Sequence, residues 1–404
     1  MTESPKLSRR ALLGGSAATL GALALGFGGG AAVSEARSDG VLGTSTRPFY
    51  GRHQTGLVSA PTAYARYITW DLRDSVTKAD LVRMMKILTA DAARLTQGVG
   101  PLADPEPELA VFPANLMMTV GFGRKFVQIG GGGGAIPAWL RPVPSYAMDR
   151  LEEPFTGGDV MVIVQSDDPV TVAHASRVVV RQWEPFVTLR SMQDGFRRAA
   201  GSTPDGHTMR NLMGQVDGTK TPRPGTDEFN RAVFGVGVDG AQTAWLQGGT
   251  GFVLRRIRME LEAWDQVDRP DREKTIGRKL DTGAPLTGGT ENSEADFEAR
   301  NVVGLPVIPD FSHMRRARPA TADEVFFRRG YNYEVPHVSG VGGEAGLLFE
   351  AMAWNPVKQF VPVQNRLAEL DLLNLYTTPV GSAVFALPPG CQEGGFLGDS
   401  LLLA

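Results

Sequence analysis

Apolar residues in the first half of the chain follow strand spacing and helix spacing in turn. Segment 63–72 (AYARYITWDL) predicts a strand, and 109–121 and 159–165 are again strand-like. The apolar positions that recur at helical spacing after the first strand are Leu81, Met84, Met85, Ile87 and Leu88. Since 171–181 has the spacing of a second helix, the order predicts a β-α-β-β-α-β unit, in which helices cover one face of an antiparallel sheet.

The second half of the chain repeats this order. Its elements are predicted as a strand, a helix, a strand, a helix and a strand, at 253–259, around Phe297, from 346, at 360–373 and at 383–387. We therefore predict an α+β fold built from tandem ferredoxin-like units with antiparallel sheets. The N-terminal unit is predicted to span 47–222 and the C-terminal unit 223–404.

Several stretches between these elements have their own signatures. The five consecutive glycines at 130–134 predict a mobile surface loop, and the polar stretch 265–296, rich in Gly and Pro, predicts a long exposed connection. Two short apolar runs, 302–309 and 324–327, predict buried segments of the β type.

Residues 1–36 predict a twin-arginine export signal, followed by a flexible segment at 37–46. Arg9 and Arg10 lie in the run SRRALL, no charged residue occurs from Ala11 to Ser34, and small residues suit cleavage near Ala36. A retained membrane anchor is the competing interpretation, but this run of mostly Gly and Ala is weakly apolar for a lipid-spanning helix. We expect export through the twin-arginine translocase to the periplasm, the cell surface or the medium.

Charge and cysteine content exclude several classes of function. The net charge is −3 for the whole chain and becomes −4 without residues 1–36, because these carry three basic and two acidic side chains. This balance argues against nucleic acid as a partner. Cys391 is the single cysteine, so the chain has no intrachain disulfide and no CxxC pattern for a zinc ribbon.

Polar residues at three places suit chemistry, although each also has an ordinary structural explanation. His313 follows an apolar run and could ligate a metal through one ring nitrogen, or it could be a buried histidine with ordinary hydrogen bonds. Asp217 lies in the pattern Gly-x-x-Asp-Gly, as a carboxylate base or as a turn residue that caps its own loop. Arg328 and Arg329 are neighbours, and on a strand they would point to opposite faces.

Taken in order, these segments resemble the dye-decolourising peroxidases, a family of haem proteins. The pattern at 214–218 is followed by Ser-His-x-Arg-x-Ala at 312–317 and by Arg-Arg-Gly-Tyr-Asn-Tyr at 328–333. Further matching segments lie at 49–56, 119–123, 165–169, 248–250, 255–257, 359–362, 371–374, 381–383 and 387–390. The resemblance runs from about residue 47 to the end of the chain, and it implies the same tandem fold around a haem pocket.

The resemblance implies haem b as cofactor and His313 as the proximal axial ligand of its iron. Asp217 would be the distal base that moves a proton between the peroxide oxygens, and Arg328 the cation that stabilises the departing oxygen. Leu347 and Phe349 match the apolar ceiling of this pocket. Since Cys391 is far from the motifs and CxxCH is absent, a thiolate ligand and covalent haem attachment are not expected.

Other positions match residues that line the haem in this family. They are Gly218, Thr219, Lys220, Arg318, Pro319 and Ala320. The chain departs from the family at Gln215, where an aromatic residue is usual, and at 318–320, where Arg-Pro-Ala replaces Asn-Pro-Arg. The candidates to hold the haem propionates are Arg318, Arg255, Arg256 and Arg315. The acidic partner of His313 would be Glu369 or Asp371.

The predicted function is a secreted haem peroxidase that reduces hydrogen peroxide and oxidises a small or bulky organic electron donor. Electrons from bulky donors would travel through aromatic side chains, with Tyr331, Tyr333, Trp245, Trp264, Trp354 and Tyr376 as candidates. The alternative is a deferrochelatase-like protein that handles haem for iron acquisition, coupled to components of an iron-uptake system. A homo-oligomer is compatible with either function.

Overall fold

Eight antiparallel strands form a closed barrel in the part of the chain that the computed structural model describes, residues 41–204, 206–240, 242–336 and 343–404. The predicted export signal lies outside these residues. The strands are β1 (Tyr64–Leu72), β2 (Met117–Phe122), β3 (Val160–Ser166), β4 (Val187–Phe196), β5 (Thr250–Met259), β6 (Phe327–Val335), β7 (Glu344–Ala353) and β8 (Thr377–Leu387).

The barrel consists of two four-stranded sheets, one from each half of the chain. The first sheet has the order β4-β1-β3-β2 and the second the order β8-β5-β7-β6. Between the described strands a single residue pair joins the sheets on each side, Phe196 with Asn332 and Phe122 with Ala386. Both sheets place their first and third strands in the middle, as in ferredoxin-like units. The predicted α+β fold with antiparallel sheets is confirmed.

Helices cover the outer faces of the sheets and fill the connections. They are α1 (Thr55–Val58), α2 (Lys78–Leu95), α3 (Arg124–Gly131), α4 (Pro169–Trp183), α5 (Asp227–Phe234), α6 (Leu261–Asp265), α7 (Arg269–Ile276), α8 (His313–Arg316), α9 (Pro356–Leu370) and α10 (Asp399–Leu402). None of the helices in the described ranges combines the length and the apolar character needed to cross a membrane.

Local sequence signals explain the two long helices of the first half. Thr77 starts α2 with a capping box, in which its side chain accepts from the Asp80 amide while the Asp80 carboxylate accepts from the Thr77 amide. The Asp168 carboxylate caps α4 in a similar way. The predicted apolar face of α2 is buried against the first sheet at Leu81, Met84, Met85 and Leu88.

The long connection between β5 and β6, residues 260–326, differs from its prediction. The expected helix around Phe297 is wrong, because this stretch is irregular. Helix α7 lies inside the region expected to be an exposed connection, with Asp268 accepting from the Asp271 amide at its start. The run 302–309 is not a buried β segment either, since it begins in a tight turn that leaves Val302 and Val303 exposed.

The glycine run also differs from the mobile loop that was expected. Gly130 and Gly131 form the last residues of α3, and both pack against α10. A Cβ at Gly131 would lie 2.5 Å from Leu401 Cδ1 and 2.7 Å from Ala135 Cβ, so a larger residue there would require these neighbours to shift. Residues 132–134 are exposed beyond the end of the helix.

A buried ion pair of the second sheet is hydrogen-bonded to the first half of the chain inside the barrel. Arg329 Nε donates to Glu350 Oε2 at 2.5 Å, and Arg329 Nη1 donates to the carbonyl oxygen of Gly56 at 2.8 Å. Tyr67 in β1 donates its hydroxyl to Glu350 Oε1 at 2.6 Å. Because strand residues alternate, Arg329 points into the barrel and its neighbour Arg328 points away from it.

Candidate active site

His313 is the first residue of α8, in the connection before β6. Its Nδ1 lies 2.6 Å from Asp371 Oδ2, and Asp371 Oδ1 accepts from the Leu373 amide at 3.0 Å. Asp371 is buried, whereas Glu369 pairs with Arg316 at 2.8 Å. Of the two acidic residues that the sequence left open, the fold therefore pairs Asp371 with the imidazole.

The pair with Asp371 raises the pKa of the imidazole and fixes the direction of its ring. Burial lowers the pKa of His313, but the charge of Asp371 and its hydrogen bond outweigh burial, so the pKa is raised. The side chain is 37% exposed and lines a cavity, and Nε2 has no hydrogen bond partner among the described residues. One nitrogen held by a carboxylate and the other available is the arrangement of an axial metal ligand.

The cavity beside His313 has a volume of about 520 Å³, within the usual range for cofactor pockets. The connection 260–326, strands β6 and β7 and helix α9 contribute to its wall. Leu347 and Phe349, which were predicted to form a ceiling, lie in this wall. Its other apolar residues include Met213, Ile257, Met259, Ile276, Phe360, Val363, Leu367 and Leu373.

Asp217 lines the same cavity from a loop that precedes α5. Its amide donates to the Met209 carbonyl at 2.8 Å, and its Oδ2 accepts from Asn211 Nδ2 at 3.2 Å. The loop turns at Gly214 and Gly218, whose φ angles of +80° and +126° favour glycine. These glycines therefore let the loop bring a carboxylate to the cavity.

Arg328 reaches the cavity from β6. Its Nη2 donates to the Thr219 carbonyl at 2.6 Å, and its backbone amide donates to Thr221 Oγ1 at 3.0 Å. The guanidinium is thus fixed to the loop that carries Asp217. The structure brings His313, Asp217 and Arg328 to one cavity, although they are far apart in the sequence.

The remaining residues predicted to contact haem divide into two groups. Thr219, Lys220, Arg318 and Pro319 line the cavity. Gly218 and Ala320 flank its wall without lining it, and the Ala320 amide donates to Glu324 Oε2 at 2.8 Å.

The candidate arginines for the propionates differ in their surroundings. Arg318 is exposed, lines the cavity and lies over the Phe297 ring at 4.7 Å. Arg255 also lines the cavity, but it is buried and paired with Asp149. Arg256 pairs with Glu344 at 2.6 Å, and Arg315 donates to the Ile308 carbonyl at 2.8 Å, both away from the cavity wall.

The sequence does not predict Arg278 as a site residue, because it lies in no recognisable motif. It lines the cavity after α7, and its Nη1 donates to the carbonyls of Gly283 and Glu291 at 2.7 and 2.9 Å. Burial, together with the nearby charge of Arg328, lowers the pKa of Arg278. Several cationic side chains around one cavity favour an anionic ligand, and the propionate groups of haem are anionic.

The residues present therefore fit haem. One imidazole with an available nitrogen would bind the iron, the apolar wall would contact the porphyrin, and Arg278 and Arg318 would face its propionates.

The aromatic candidates for electron transfer lie mostly inside the protein. Tyr331, Tyr333, Trp245 and Trp354 are buried. Trp264 is buried too, but its ring packs edge-on against the half-buried Tyr376 at 5.0 Å. Trp264 Nε1 donates to the carbonyl of Met213, a residue of the cavity wall, at 3.1 Å. This pair therefore extends from the cavity wall toward the surface.

Two family models match the chain in succession. One describes the N-terminal part of the Dyp-type peroxidases and matches residues 54–197. The other describes the C-terminal part and matches residues 208–392. The second match contains Asp217, His313 and Arg328.

Two proteins that are similar to this chain in sequence carry different names, dye-decolorizing peroxidase and deferrochelatase. The dye-decolorizing peroxidase of Thermobifida fusca (strain YX) is 36% identical over 360 residues, covering 86% of this chain and 83% of the relative. The deferrochelatase of Yersinia pestis bv. Antiqua (strain Nepal516) is 31% identical over 422 residues, covering 100% of this chain and 96% of the relative.

Solved structures of peroxidases of this type are also similar to the chain. A DyP-type peroxidase from Cellulomonas bogoriensis superposes with a TM-score of 0.86 at 44% identity, covering 90% of this chain and 100% of that one. Ferric DtpA from Streptomyces lividans gives a TM-score of 0.84 at 33% identity, covering 90% and 98%.

Proposed function

Because the chain belongs to the Dyp-type peroxidase family, we propose that it is an exported haem b peroxidase that reduces hydrogen peroxide with electrons from an organic donor. The observation that carries the proposal is the His313–Asp371 pair beside a cavity that also holds Asp217 and Arg328. Bound haem supplies an iron centre that exchanges electrons with peroxide and donor.

Asp217 moves a proton from one oxygen of hydrogen peroxide to the other. The oxygen–oxygen bond of hydrogen peroxide breaks most readily when water leaves, which requires a proton to pass from one peroxide oxygen to the other. The carboxylate of Asp217 lines the cavity, and Asn211 holds its Oδ2 at 3.2 Å. Asp217 takes the proton from the first oxygen and gives it to the second, so the carboxylate is unchanged at the end.

Arg328 stabilises the charge that develops on the departing oxygen. A guanidinium stays protonated and needs no rearrangement during the reaction, because the Thr219 carbonyl already fixes its direction. Arg328 and Asp217 therefore act on the same oxygen, the first by its charge and the second by supplying the proton.

Asp371 makes His313 a stronger ligand. A carboxylate that accepts a hydrogen bond from Nδ1 raises the basicity of the imidazole and fixes its ring orientation. Small donors are oxidised in the cavity, and electrons from bulky donors pass through the pair Tyr376 and Trp264 to its wall.

The experiment that tests the proposal is an absorption spectrum of the haem-loaded protein before and after one equivalent of hydrogen peroxide. We expect the Soret band of the bound haem to change within seconds and to return when an organic donor is added. A spectrum that peroxide leaves unchanged, or a His313→Gly variant with the wild-type Soret band, would contradict the proposal.

A second candidate function is haem handling for iron acquisition, since relatives named deferrochelatase are 31% identical over the whole chain. In that case the protein would release iron from added haem without peroxide and would act with components of an iron-uptake system. Iron release measured with a chelator, in the absence of peroxide, distinguishes the two candidates.

Export by the twin-arginine route is part of the proposal and is supported by the paired arginines in the run SRRALL. Replacing both residues, Arg9→Lys and Arg10→Lys, is expected to retain the protein in the cytoplasm. Cell fractionation checks this expectation, and export of the double variant would contradict it.

A further inference from the structure

The loop that carries Asp217 begins with a turn that the chain uses twice. The sequence Arg-Asn-x-x-Gly at 210–214 recurs at 300–304. In both turns the backbone N–H of the asparagine donates to the backbone carbonyl four residues later, at 3.0 and 2.8 Å. The backbone N–H of the glycine donates to the backbone carbonyl of the asparagine at 2.9 Å in each turn. The arginine Nη1 donates to the glycine carbonyl at 2.9 and 2.8 Å, and the glycine φ angles are +80° and +82°.

The asparagine side chain builds each turn through its oxygen. Asn211 Oδ1 accepts from the amides of residues 213 and 215 at 3.1 and 3.2 Å. Asn301 Oδ1 accepts from the amides of residues 303 and 305, both at 3.0 Å. Because two backbone donors face the same atom, this atom must be the amide oxygen, and the nitrogen must point away from the turn.

The amide nitrogens of the two asparagines have different surroundings. Asn211 Nδ2 donates to Asp217 Oδ2 at 3.2 Å. Asn301 is exposed, and no atom of the described residues accepts from its Nδ2. The same turn therefore forms at 300–304 without this donation, which indicates that the bond from Asn211 serves Asp217 and not the turn.

We propose that Asn211 is a positioning residue that holds the carboxylate of Asp217 in the orientation for proton transfer. This inference rests on the proposed function, which gives Asp217 its role. The hydrogen bond opposes rotation of the carboxylate and leaves Oδ1 for the substrate.

The test is the variant Asn211→Asp, with Asn301→Asp as matched control. Aspartate keeps the oxygen that the turn requires and replaces the donating nitrogen, so both variants should keep the turn. We expect Asn211→Asp to slow the reaction with peroxide about tenfold, a part of what general base catalysis contributes. We expect Asn301→Asp to keep the wild-type rate.

A double-variant cycle separates positioning from a structural role. If Asn211 acts through Asp217, Asn211→Ser slows the wild type but has no further effect in an Asp217→Asn background. Equal slowing in both backgrounds would overturn the proposal. Crystal structures of the haem-free wild type and Asn211→Ser add a measurement that does not depend on turnover. We expect the Asp217 carboxylate to be rotated in the variant, and an unchanged orientation would also overturn the proposal.

The outcomes distinguish this inference from the proposed function. If Asp217→Asn slows the reaction but Asn211→Asp keeps the wild-type rate, Asn211 has no positioning role and the peroxidase function stands. If the haem-loaded wild type does not react with peroxide at all, the proposed function fails, and the role of Asn211 fails with it.

Discussion

Asp371 uses its two carboxylate oxygens for different purposes. Oδ2 is the partner of His313 Nδ1, and Oδ1 accepts from the Leu373 amide after α9. Because each purpose has its own oxygen, a change that keeps one oxygen and replaces the other separates the effect on the imidazole from the effect on the backbone.

Asp371→Asn makes this separation. The amide oxygen can still accept from the Leu373 amide, but the amide nitrogen cannot accept from His313. We expect the reduction potential of the bound haem to rise and haem affinity to fall about 10–100-fold, as on loss of other partners of metal-bound histidines. Redox titration and haem titration measure these effects.

Glu369→Gln is the control for that change. Glu369 lies two residues earlier and pairs with Arg316, with its side chain 67% exposed. An equal rise in potential in this variant would show that the effect does not come from the partner of His313.

At the scale of single residues, the motifs predicted Asp217, His313 and Arg328 as the residues of the active site, and the structure brings them to one cavity. The partner of His313 could not be chosen, because it lies 58 residues further along the chain. Glu369 and Asp371 look equivalent in sequence, and only the end of α9 turns one inward and the other outward. Arg278 could not be predicted as a site residue, because it lies in no motif and its place at the cavity depends on how the connection 260–326 folds.

At the scale of elements, strands were predicted better than the connection that carries the ligand. The strands predicted at 159–165 and 253–259 correspond to β3 and β5, and β3 reads as a buried run because both of its faces are buried in the closed barrel. The helix expected around Phe297 is wrong. Arg315 holds this stretch as an irregular loop by donating to the Phe297 and Ile308 carbonyls, contacts that a local pattern does not contain.

Strand β7 depends on one glycine at its start. A Cβ at Gly346 would meet the Ile257 carbonyl and would lie 2.6 Å from Tyr333 Cε1. The Tyr333 ring cannot move aside easily, because Glu344 accepts from its hydroxyl and Arg256 stacks on it at 4.3 Å. We expect Gly346→Ala to lower the free energy of unfolding by about 3 kcal/mol.

Chemical denaturation measures this loss, and Gly134→Ala is the control. A Cβ at Gly134 would meet no atom within 4 Å, so this variant should stay within about 0.5 kcal/mol of the wild type. Equal stability of the two variants would contradict the steric explanation.

Glu324 fixes the segment after α8 to helix α9. Its Oε2 accepts from Arg366 Nη2 at 2.7 Å and from the Ala320 amide at 2.8 Å. Burial raises the pKa of Glu324, but these donors outweigh burial and lower it below its usual value of 4.5. The charged form is therefore stabilised in the folded protein, and this contribution is present above pH 4.5 and lost as the pH falls through the lowered pKa.

Glu324→Gln should therefore destabilise the protein at pH 7 and have less effect at acidic pH. Melting temperatures of the haem-free wild type and variant, measured from pH 7 to pH 3, test this sign. A difference that grows toward acidic pH would contradict it.

At the scale of the whole molecule, the two sheets depend on polar contacts inside the barrel. Arg329 and Glu350 come from the second sheet, while Tyr67 and the Gly56 carbonyl come from the first half. Both charged side chains are at most 2% exposed. Glu350→Gln leaves Arg329 buried without a full counter-charge, and we expect a loss of about 3–5 kcal/mol in the free energy of unfolding.

Two further variants show whether burial causes this loss. Tyr67→Phe removes one hydrogen bond to Glu350 and should cost about 1 kcal/mol. Asp323→Asn breaks the exposed pair with Arg231 and should cost less than about 1 kcal/mol. A similar cost for Glu350→Gln and Asp323→Asn in denaturation experiments would contradict the argument.

The residue assigned to bind the iron stands on the connection 260–326, which joins β5 to β6 but contributes no strand to the barrel. Laboratory evolution aimed at an altered reduction potential can therefore start with libraries at the exposed positions of this stretch. If buried residues such as Trp264 and Ile308, and the ion-paired Glu324, are left unchanged, the variants should differ in catalysis and cofactor retention while keeping the thermal stability of the parent.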